Sequence, residues 1–444
     1  MLRTPEKIRT LQRKLYRKAK QEPACRFHAL YDKVYRADIL GHAYNLVRAN
    51  KRSAGIDGVT FEDIEAGKGV SAFVAELAEA LRSKKYKPDP VKRVMIPKGK
   101  GTCRPLGIPT IRDRVAQMAV KLVIEPIFEA DFCNTSYGFR PKRSAHNAVD
   151  DVAHTLNKGY TEVIDADLSK YFDTIPHAKL MVMVSERISD GSILHLIKMW
   201  LKVSVMEEDK DGTKRNISGG KGNRKGTPQG GVISPLLANL YLHLLDRIWE
   251  RRQVQRRLGA RIVRYADDMV ILCRRGTEQP KAVLQGILGR MDLQLNEAKT
   301  QVVDAHQEMF SFLGFEIGIW KSRVTGNSYA HVQASKESVQ ALKGRITEMT
   351  GKRRTPIPLD HIVKEVNDSV RGWVNYFQFR NCSRTMLQVR KHLEERMRTH
   401  LRRRFKIKDR NSGYVRIPWH DLYNRYGLFK VPTTAGWTRA HALR

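Results

Sequence analysis

The chain has 444 residues, and its 81 Lys and Arg against 46 Asp and Glu leave a net charge of +35. This length allows two or three domains and a large core. A charge of this size exceeds what solubility requires and is typical of proteins that hold a polyanion through its phosphates; an anionic membrane surface or a ribosome-type structural role are the alternatives.

Other features of the sequence narrow the class of protein. No apolar run approaches the length of a membrane-spanning helix, and the first residues lack the apolar region of a signal peptide. The cysteines are scattered and form no Cys-x-x-Cys pair, so we expect reduced thiols in a reducing compartment, not a disulfide framework or a zinc site. They are Cys25, Cys103, Cys133, Cys273 and Cys382.

The N-terminal part predicts basic helices followed by a basic hairpin. Residues 1–50 carry apolar positions at helical spacing among Lys and Arg, and residues 71–82 form an amphipathic helix. Residues 91–110 alternate like a β-hairpin whose glycine-rich tip carries Lys98 and Arg104. These cations and the backbone N–H groups of the tip can hold a triphosphate, and an ordinary exposed hairpin is the alternative.

A cluster of aromatic residues and arginine follows a helix predicted at residues 112–126. Residues 136–141 join a bend, Tyr137, a second aromatic residue and Arg140. Such a cluster can stack bases or hold a template strand, and a packed turn is the alternative. Next, residues 163–167 predict an apolar strand that runs into acids and then into an aromatic pair.

Two different segments separate this strand from the next pair of acids. Helices are predicted within residues 176–203, and residues 204–225 are polar and glycine-rich, which favours a loop over core structure. The loop leads to Gln229 between Pro and two glycines, where the side chain can orient a template base or an incoming nucleotide. Ser234 followed by Pro predicts the start of a helix.

Residues 262–272 predict a buried hairpin with acids at its turn, because two apolar β-prone runs flank Arg-Tyr-Ala-Asp-Asp. Asp267 and Asp268 would repel each other at such a turn unless a cation is present, and a solvated surface turn is the alternative. Mg²⁺ prefers oxygen ligands and takes one or two carboxylates together with substrate phosphates. With an Asp from residues 163–167, the turn can hold two metal ions, the arrangement that supports in-line phosphoryl displacement and hence nucleotidyl transfer.

The C-terminal part becomes helical and increasingly basic. Residues 291–300 predict a short strand with a lone lysine, Lys299, and residues 310–317 alternate like a hairpin strand. Helical spacing begins at Ser335 and resumes after residues 356–358. The last 44 residues hold eleven Lys and Arg against two Asp, interleaved with aromatic residues, which favours a nucleic-acid-binding appendage over a solvated tail. They include Arg402, Arg403 and Arg404.

This order of motifs resembles the group II intron-encoded reverse transcriptases that also act as maturases. The matching segments are residues 54–60, 97–109, 137–141, 167–173, 228–231, 265–268, 312–315 and, for the maturase-specific thumb, 371–377. The resemblance implies an α+β right-hand polymerase. It places an N-terminal extension and the start of the fingers at residues 1–66, fingers and palm with an antiparallel palm sheet at 67–320, an α-helical thumb at 321–400 and a small basic DNA-binding domain at 401–444.

The resemblance also implies a catalytic metal site. Asp167, Asp267 and Asp268 form the triad that holds two Mg²⁺ ions, for which Mn²⁺ is a substitute. Asp165 shares a strand face with Asp167, but the family motif places an aromatic residue four positions after the ligand, where Tyr171 stands.

Further roles follow from the same resemblance. Tyr171 is expected to be the steric gate that rejects a ribose 2′-OH, Lys98 and Arg104 to hold the triphosphate, and Gln229 to line the nucleotide pocket. Lys299 is our hypothesis for the acid that protonates the leaving pyrophosphate, and an exposed lysine without this role is the alternative. Tyr137, Arg140 and the three C-terminal arginines are expected to contact nucleic acid.

The implied function is RNA-directed DNA polymerisation combined with binding of the intron RNA to promote splicing and retrohoming by target-primed reverse transcription. The expected partners are the intron RNA, target DNA, the RNA template with its DNA primer, and dNTPs, in the bacterial cytoplasm or nucleoid. Relatives with a C-terminal endonuclease end in a zinc-stabilised His-Asn-His module with paired cysteines. The tail here contains no such pair, so we expect priming from nascent strands or single-stranded targets. A splicing factor without polymerase activity and a domesticated reverse transcriptase are the alternative functions.

Overall fold

The computed structural model describes residues 2–50, 53–99, 102–208, 211, 213–220 and 222–437. The first part contains α1 (Glu6–Gln21), α2 (Tyr31–Val34), α3 (Ala37–Ala49), α4 (Phe61–Ala66), α5 (Gly69–Arg82), β1 (Val91–Gly99), β2 (Thr102–Ile108), α6 (Ile111–Glu129) and α7 (Ala145–Leu156). The central part contains β3 (Glu162–Ala166), α8 (Tyr171–Thr174), α9 (His177–Ser185), α10 (Gly191–Leu201), β4 (Val205–Glu208), β5 (Lys214–Ser218), α11 (Ser234–Arg251), α12 (Val254–Leu258), β6 (Ala260–Tyr265), β7 (Asp268–Cys273), α13 (Glu278–Arg290) and β8 (Gln301–Asp304). The last part contains β9 (Phe310–Phe312), β10 (Phe315–Lys321), β11 (Ser328–Ala334), α14 (Lys336–Met349), the 3₁₀ turn Lys352–Arg354, α15 (Leu359–Phe377), α16 (Ser383–Arg404), α17 (Arg410–Arg416) and α18 (Trp419–Asn424).

A central antiparallel sheet with the strand order β6-β7-β3-β8 lies between two hydrophobic clusters. Side chains alternate between its faces, because successive residues of a strand point to opposite sides. Ile164 and Ile271 pack into the cluster formed with the N-terminal helices, whereas Val163 and Val270 pack into the cluster formed with the C-terminal helices. Both faces of the sheet are therefore buried, so a functional site on this sheet has to lie at the ends of its strands.

A second sheet has the order β2-β1-β4-β5. The β1–β2 hairpin agrees with the prediction for residues 91–110. Strands β4 and β5, however, lie in the segment that we expected to be a loop. They form because Val91 at the start of β1 pairs in parallel with Val205, a contact more than a hundred residues away that local composition does not predict.

The C-terminal part combines a small sheet, β11-β10-β9, with the helices α14–α18. The expected boundary between residues 400 and 401 falls inside α16, so the three arginines end this helix instead of opening a separate tail. The expected boundary at residue 320 falls at the end of β10.

Two local predictions also differ from the structure. Residues 291–300 contain no strand, and Leu295 forms only an isolated bridge to Leu168. Helix α11 begins at Ser234 with Pro235 in its first turn, as predicted, but its N-cap is Ile233, and the hydroxyl of Ser234 donates instead to the carbonyl O of Pro228 (2.9 Å). Among the described helices, none has the length and apolar character needed to cross a bilayer.

Candidate active site

The turn between β6 and β7 places two carboxylates at one end of the central sheet. Tyr265 and Asp268 form the last pair of the hairpin, so that Ala266 and Asp267 make a two-residue turn. Ala266 has φ +58°, a conformation that hairpin turns of this length require and that glycine adopts more readily. Asp267 is half-buried, and Asp268 is exposed.

Strand β3 brings two more acids to the same end. Burial, together with the nearby carboxylates of Asp268 and Asp167, raises the pKa of Asp165 to about 6. Burial also raises the pKa of Asp267, with its own backbone N–H and the Arg104 guanidinium opposing this effect and Asp167 adding to it. The structure therefore assembles four interacting carboxylates where the sequence analysis assigned three.

This cluster of carboxylates fits a metal ion whose remaining ligands come from the substrate. Within the described residues, no group of three or more acidic, His or Cys side chains is arranged to hold a metal ion by itself. Mg²⁺ is commonly held by one or two carboxylates and by substrate phosphates, and the mutual repulsion of these partly buried carboxylates favours a bound cation.

Lys299 contacts the acid at the end of β3. Its Nζ lies 3.2 Å from Oδ2 of Asp167 and forms an ion pair with it, and Asn296 Nδ2 donates to the same oxygen at 3.2 Å. The Asn296 backbone N–H also donates to the Asp167 carbonyl O (2.8 Å). The Lys299 side chain is 60% exposed, so it can reach a substrate beside Asp167. Its role as an acid stays a prediction.

The loop that contains Gln229 docks on β2. The Gly107 backbone N–H donates to the Gln229 carbonyl O (2.5 Å). Gly230 adopts φ +112°, and a Cβ at this position would overlap the carbonyl O of Gly107. Only glycine allows this close approach between the two backbones.

Docking of this loop joins two residues that were predicted separately. Arg104 Nε donates to Gln229 Oε1 at 3.2 Å, and Gln229 Nε2 donates to Asp173 Oδ1 at 3.2 Å. The Arg104 guanidinium also acts to lower the pKa of Asp267, so Arg104 lies within electrostatic reach of the carboxylate cluster. Lys98 belongs to β1, but its side chain lies outside the described part of the structure.

Tyr171, the expected steric gate, is buried beneath the site. Its hydroxyl donates to the carbonyl O of Ala238 in α11 (2.5 Å), and burial raises its pKa well above the ordinary value. The Phe172 ring meets it edge-on at 5.6 Å between centroids and is the more accessible of the pair. A steric gate must contact the ribose, which requires an accessible ring. The buried Tyr171 therefore does not fit the role that we expected for it, and Phe172 is the better candidate for the gate.

A buried arginine holds the β6–β7 turn in place through hydrogen bonds. Arg264 Nε and Nη2 donate to the two carboxylate oxygens of Asp246 at 3.1 and 2.5 Å, and both side chains are fully buried. Arg264 Nη1 donates to the carbonyl O of Ala266 (2.8 Å) and to Asn239 Oδ1 (3.1 Å). Burial lowers the pKa of Arg264, but Asp246 outweighs this effect and keeps the guanidinium charged.

The hydrogen-bond network around Arg264 extends to the segment at residues 136–141. Asn239 Nδ2 donates to the Gly138 carbonyl O (2.5 Å), and a Cβ on Gly138 would overlap the backbone N of Ala266. Sequence reasoning assigned no role to Arg264 or Asn239. The sequence signal that could have identified Arg264 is its position as a charged residue in an otherwise apolar strand.

Comparison with known proteins agrees with this geometry. Residues 96–317, half of the chain, match the reverse transcriptase (RNA-dependent DNA polymerase) family, and residues 339–417 match the group II intron maturase-specific domain. The chain is 35% identical to Protein YkfC of Escherichia coli K12 over 353 residues, which cover 71% of this chain and 90% of that protein. It is 35% identical over 222 residues to the group II intron-encoded protein LtrA of Lactococcus lactis subsp. cremoris, covering 50% of this chain and 35% of LtrA.

The chain belongs to the group II intron-encoded reverse transcriptases. A protein in the cob intron of Schizosaccharomyces pombe is 26% identical over 414 residues, covering 76% of this chain. The alignments span only 49% of that protein and 35% of LtrA, so the chain corresponds to half or less of these two relatives.

The maturase-specific region of this reverse transcriptase reaches the catalytic end of the sheet. Burial raises the pKa of Tyr376, near the end of α15, to about 12, and Tyr265 and Asp268 contribute to the same shift. The Tyr376 hydroxyl donates to the carbonyl O of Leu313 (2.9 Å). The segments at residues 312–315 and 371–377 therefore pack on each other beside the active site of the enzyme.

Arg140 occupies a structural position in this reverse transcriptase. It is buried, pairs with Glu129 at 2.7 Å, and donates through Nη1 to the carbonyl O atoms of Cys133 (2.6 Å) and Ser136 (2.7 Å). These contacts leave it unable to bind a nucleic-acid strand as we expected.

The neighbours of Arg140 are placed differently from each other. The Tyr137 hydroxyl donates to Asp151 (2.9 Å), which occupies its polar end. Phe139, by contrast, is 50% exposed at φ +56° beside Gly138, so its ring is accessible from solvent.

The three arginines that end α16 also differ from one another. Arg404 Nη1 donates to the carbonyl O atoms of Thr355 (3.0 Å) and Ile357 (2.7 Å). Arg402 packs against Gly413 and is half-buried, whereas Arg403 is exposed. Of these three, Arg403 is the one placed to contact a nucleic acid.

Proposed function

We propose that this reverse transcriptase extends a DNA primer by metal-assisted nucleotidyl transfer at Asp167, Asp267 and Asp268. The observation that carries the proposal is the meeting of these acids, from β3 and the β6–β7 turn, at one end of the central sheet. Asp165 lies close enough to influence the same site.

The three acids are proposed to hold two Mg²⁺ ions, with Mn²⁺ as a substitute. When bound, the pair of ions stabilises the attacking and leaving oxygens of an in-line phosphoryl displacement. Divalent metal use is general in this family, and the identity of the ion is part of the proposal.

The remaining groups act on the nucleotide. Arg104 and Lys98, both from the β1–β2 hairpin, neutralise the triphosphate, while Gln229 orients the nucleotide from its position between Arg104 and Asp173. Lys299 donates a proton to the leaving pyrophosphate from its place beside Asp167. Phe172 restricts the ribose 2′ position.

The three sheets and their helices are proposed to form the parts of a right-hand polymerase. The β2-β1-β4-β5 sheet belongs to the fingers, the central sheet to the palm and α14–α16 to the thumb, followed by a small basic domain. The RNA template with its DNA primer would lie between them.

We further propose that the protein binds its intron RNA to promote splicing, and that it inserts DNA by target-primed reverse transcription. The maturase-specific match and the +35 charge support RNA binding over a wide surface. Its partners are then intron RNA, target DNA and dNTPs, in the bacterial cytoplasm or nucleoid.

Primer extension on an RNA template tests the polymerase site. We expect Asp267→Asn, Asp268→Asn to abolish extension with Mg²⁺ and dNTPs while RNA affinity stays nearly unchanged, because phosphate contacts elsewhere supply the binding. A matched control, Asp360→Asn, Asp368→Asn, removes two exposed carboxylates of α15 and should retain extension. Extension by the first variant would contradict the site, and tight RNA binding without extension by the wild type would favour a splicing factor.

A further inference from the structure

A group of arginines surrounds a cavity at the end of the central sheet opposite the catalytic turn. The cavity has a volume of about 380 Å³ and is lined by arginines from the end of α12 and from the end of β7. We call it the distal arginine cavity; its arginines are Arg256, Arg257, Arg274 and Arg275.

A glycine brings the two pairs of arginines together. Gly259 joins α12 to β6 with φ +62°, and its carbonyl O accepts a hydrogen bond from the Arg274 backbone N–H (3.0 Å). A Cβ at this position would lie 3.3 Å from the Arg274 Cβ, which is closer than side chains normally approach. The positive φ at glycine therefore folds α12 back over the end of the sheet.

One arginine of the cavity is held in place by neutral groups. Arg274 Nη2 donates to the carbonyl O of Lys158 (2.8 Å), and its guanidinium lies 4.5 Å from the centre of the Tyr160 ring. These contacts orient the guanidinium and leave its charge uncompensated.

Within the described residues, none of the four arginines forms an ion pair with a carboxylate, although all four are exposed and line the same cavity. Two carboxylates of the adjoining elements are engaged elsewhere: Asp151 pairs with Arg261, and Glu162 accepts from the Gly276 backbone N–H (3.2 Å). Like charges held this closely repel one another, so a multivalent anion would relieve an unfavourable arrangement.

The cavity is separate from the polymerase site. Ala260 pairs with Cys273 at the arginine end of the hairpin, and Tyr265 pairs with Asp268 at the catalytic end. Five residues of strand at roughly 3.3 Å per residue separate these ends by about 17 Å.

We propose that the distal arginine cavity binds the phosphodiester backbone of structured RNA as a second contact outside the polymerase site. Guanidinium groups match phosphate oxygens with paired hydrogen bonds and stay charged at all relevant pH values. Four arginines around one cavity match the repeated negative charges of a phosphodiester polymer, and their exposure makes the site reachable for a large partner. The choice of RNA over DNA rests on the proposed function.

The test compares two double variants with equal loss of charge. The cavity variant, Arg256→Gln, Arg275→Gln, removes one charge from each of the two pairs of arginines that line the cavity. The control, called the lysine variant, is Lys84→Gln, Lys85→Gln, which removes two exposed lysines that follow α5. Affinity for a transcribed, folded group II intron RNA is measured over a series of salt concentrations. Extension of a short RNA–DNA primer–template is measured in parallel, and thermal unfolding checks that both variants fold.

The cavity variant should lose about tenfold in RNA affinity at moderate salt, and its slope of log affinity against log salt should fall by about 1 to 2, corresponding to two lost phosphate contacts. Extension of the short duplex should remain unchanged, and the lysine variant should bind RNA like the wild type. Unchanged affinity in the cavity variant, or an equal loss in both variants, would overturn the proposal.

A small ligand is the remaining occupant to exclude. Two results together would assign the cavity to a small phosphate compound and overturn the binding of a polymer. The first is that millimolar inorganic phosphate stabilises the wild type against heat. The second is that the cavity variant binds RNA with the affinity of the wild type. Binding is measured independently of polymerisation, so absence of extension by the wild type would count against the proposed function alone.

Discussion

Arg264 is a charged residue with no exposed surface, and it connects a helix to the catalytic turn. Its guanidinium donates hydrogen bonds to the carboxylate of Asp246 on α11 and to the carbonyl O of Ala266 at the same time. Breaking a buried ion pair by removing one partner costs about 3–5 kcal/mol. The pair therefore ties the stability of the palm region to the position of Asp267.

Replacement of Arg264 by lysine should separate charge from geometry. Arg264→Lys keeps a positive charge but loses the fork, so the turn should move and kcat for primer extension should fall by about 100-fold, the effect expected of a misplacement near 1 Å. The KM for dNTP should change little.

A matched control lies on the same strand. Arg261 pairs with Asp151 at 3.0 Å near the surface, and Arg261→Lys should leave kcat within about twofold, as expected of a pair in contact with solvent. Equal losses of kcat in the two variants would show that Arg264 has no special role at the turn.

His243 in α11 predicts a dependence of stability on pH. Burial lowers its pKa to about 4, below the unfolded value of about 6.5. The folded state therefore binds fewer protons, and its stability is complete above pH 6.5 and decreases as the pH falls towards 4. At pH 5 the loss should reach about 2 kcal/mol.

Urea unfolding at pH 7 and pH 5 measures this effect. His243→Gln should reduce the difference in free energy of unfolding between the two pH values, whereas His195→Gln, at an exposed position on α10, should preserve it. An unchanged difference in the first variant would exclude His243 as the source of acid sensitivity.

At the scale of elements, the active site depends on loops docking against strands. The loop at residues 228–231 lies on β2 through the contact of Gln229 with Gly107, and the segment at residues 136–141 lies on the β6–β7 turn through Gly138. Both contacts bring backbones together at positions where a side chain does not fit. Glycines in these motifs therefore control the placement of the functional side chains.

Substitution of one glycine tests this placement. Gly230→Ala introduces a Cβ that overlaps the Gly107 carbonyl, so Gln229 should move away from Arg104 and the KM for dNTP should rise at least about tenfold. Gly222→Ala, in the polar segment that precedes this loop, meets no neighbouring atom and should keep the KM of the wild type. A normal KM in Gly230→Ala would show that this docking is unimportant for nucleotide binding.

At the scale of the whole molecule, a charge of +35 is distributed over a surface far larger than the active site. Some of the positive residues are occupied internally, as Arg140 and Arg264 are. The exposed remainder gives RNA binding a strong electrostatic component that does not require the catalytic acids.

Salt and chelation should therefore affect different properties. With six to ten phosphate contacts, RNA affinity should fall by about 10³-fold or more between 50 and 200 mM salt. Removal of divalent ions with EDTA should stop extension while RNA affinity at fixed ionic strength decreases far less. Affinity that is insensitive to salt would contradict a binding mode based on phosphates.

Sequence alone determined the features that depend on local order. The spacing of apolar residues predicted the helices α5, α6 and α15, and the apolar runs around Asp267 and Asp268 predicted a hairpin with acids at its turn. These signals are local because helices, hairpins and two-residue turns are formed by neighbours in the chain. The order of the motifs was sufficient to identify the family.

Tertiary structure decided which of the predicted functional side chains are accessible and which are buried. Arg140 and Tyr171 resemble exposed functional residues in the sequence, but partners far along the chain bury them, and strand β4 exists because β1 lies beside it. The pairing of Arg264 with Asp246 and the approach of Asp165 to Asp268 likewise join distant segments. Burial and long-range pairing are properties of the folded chain, so no window of the sequence contains them.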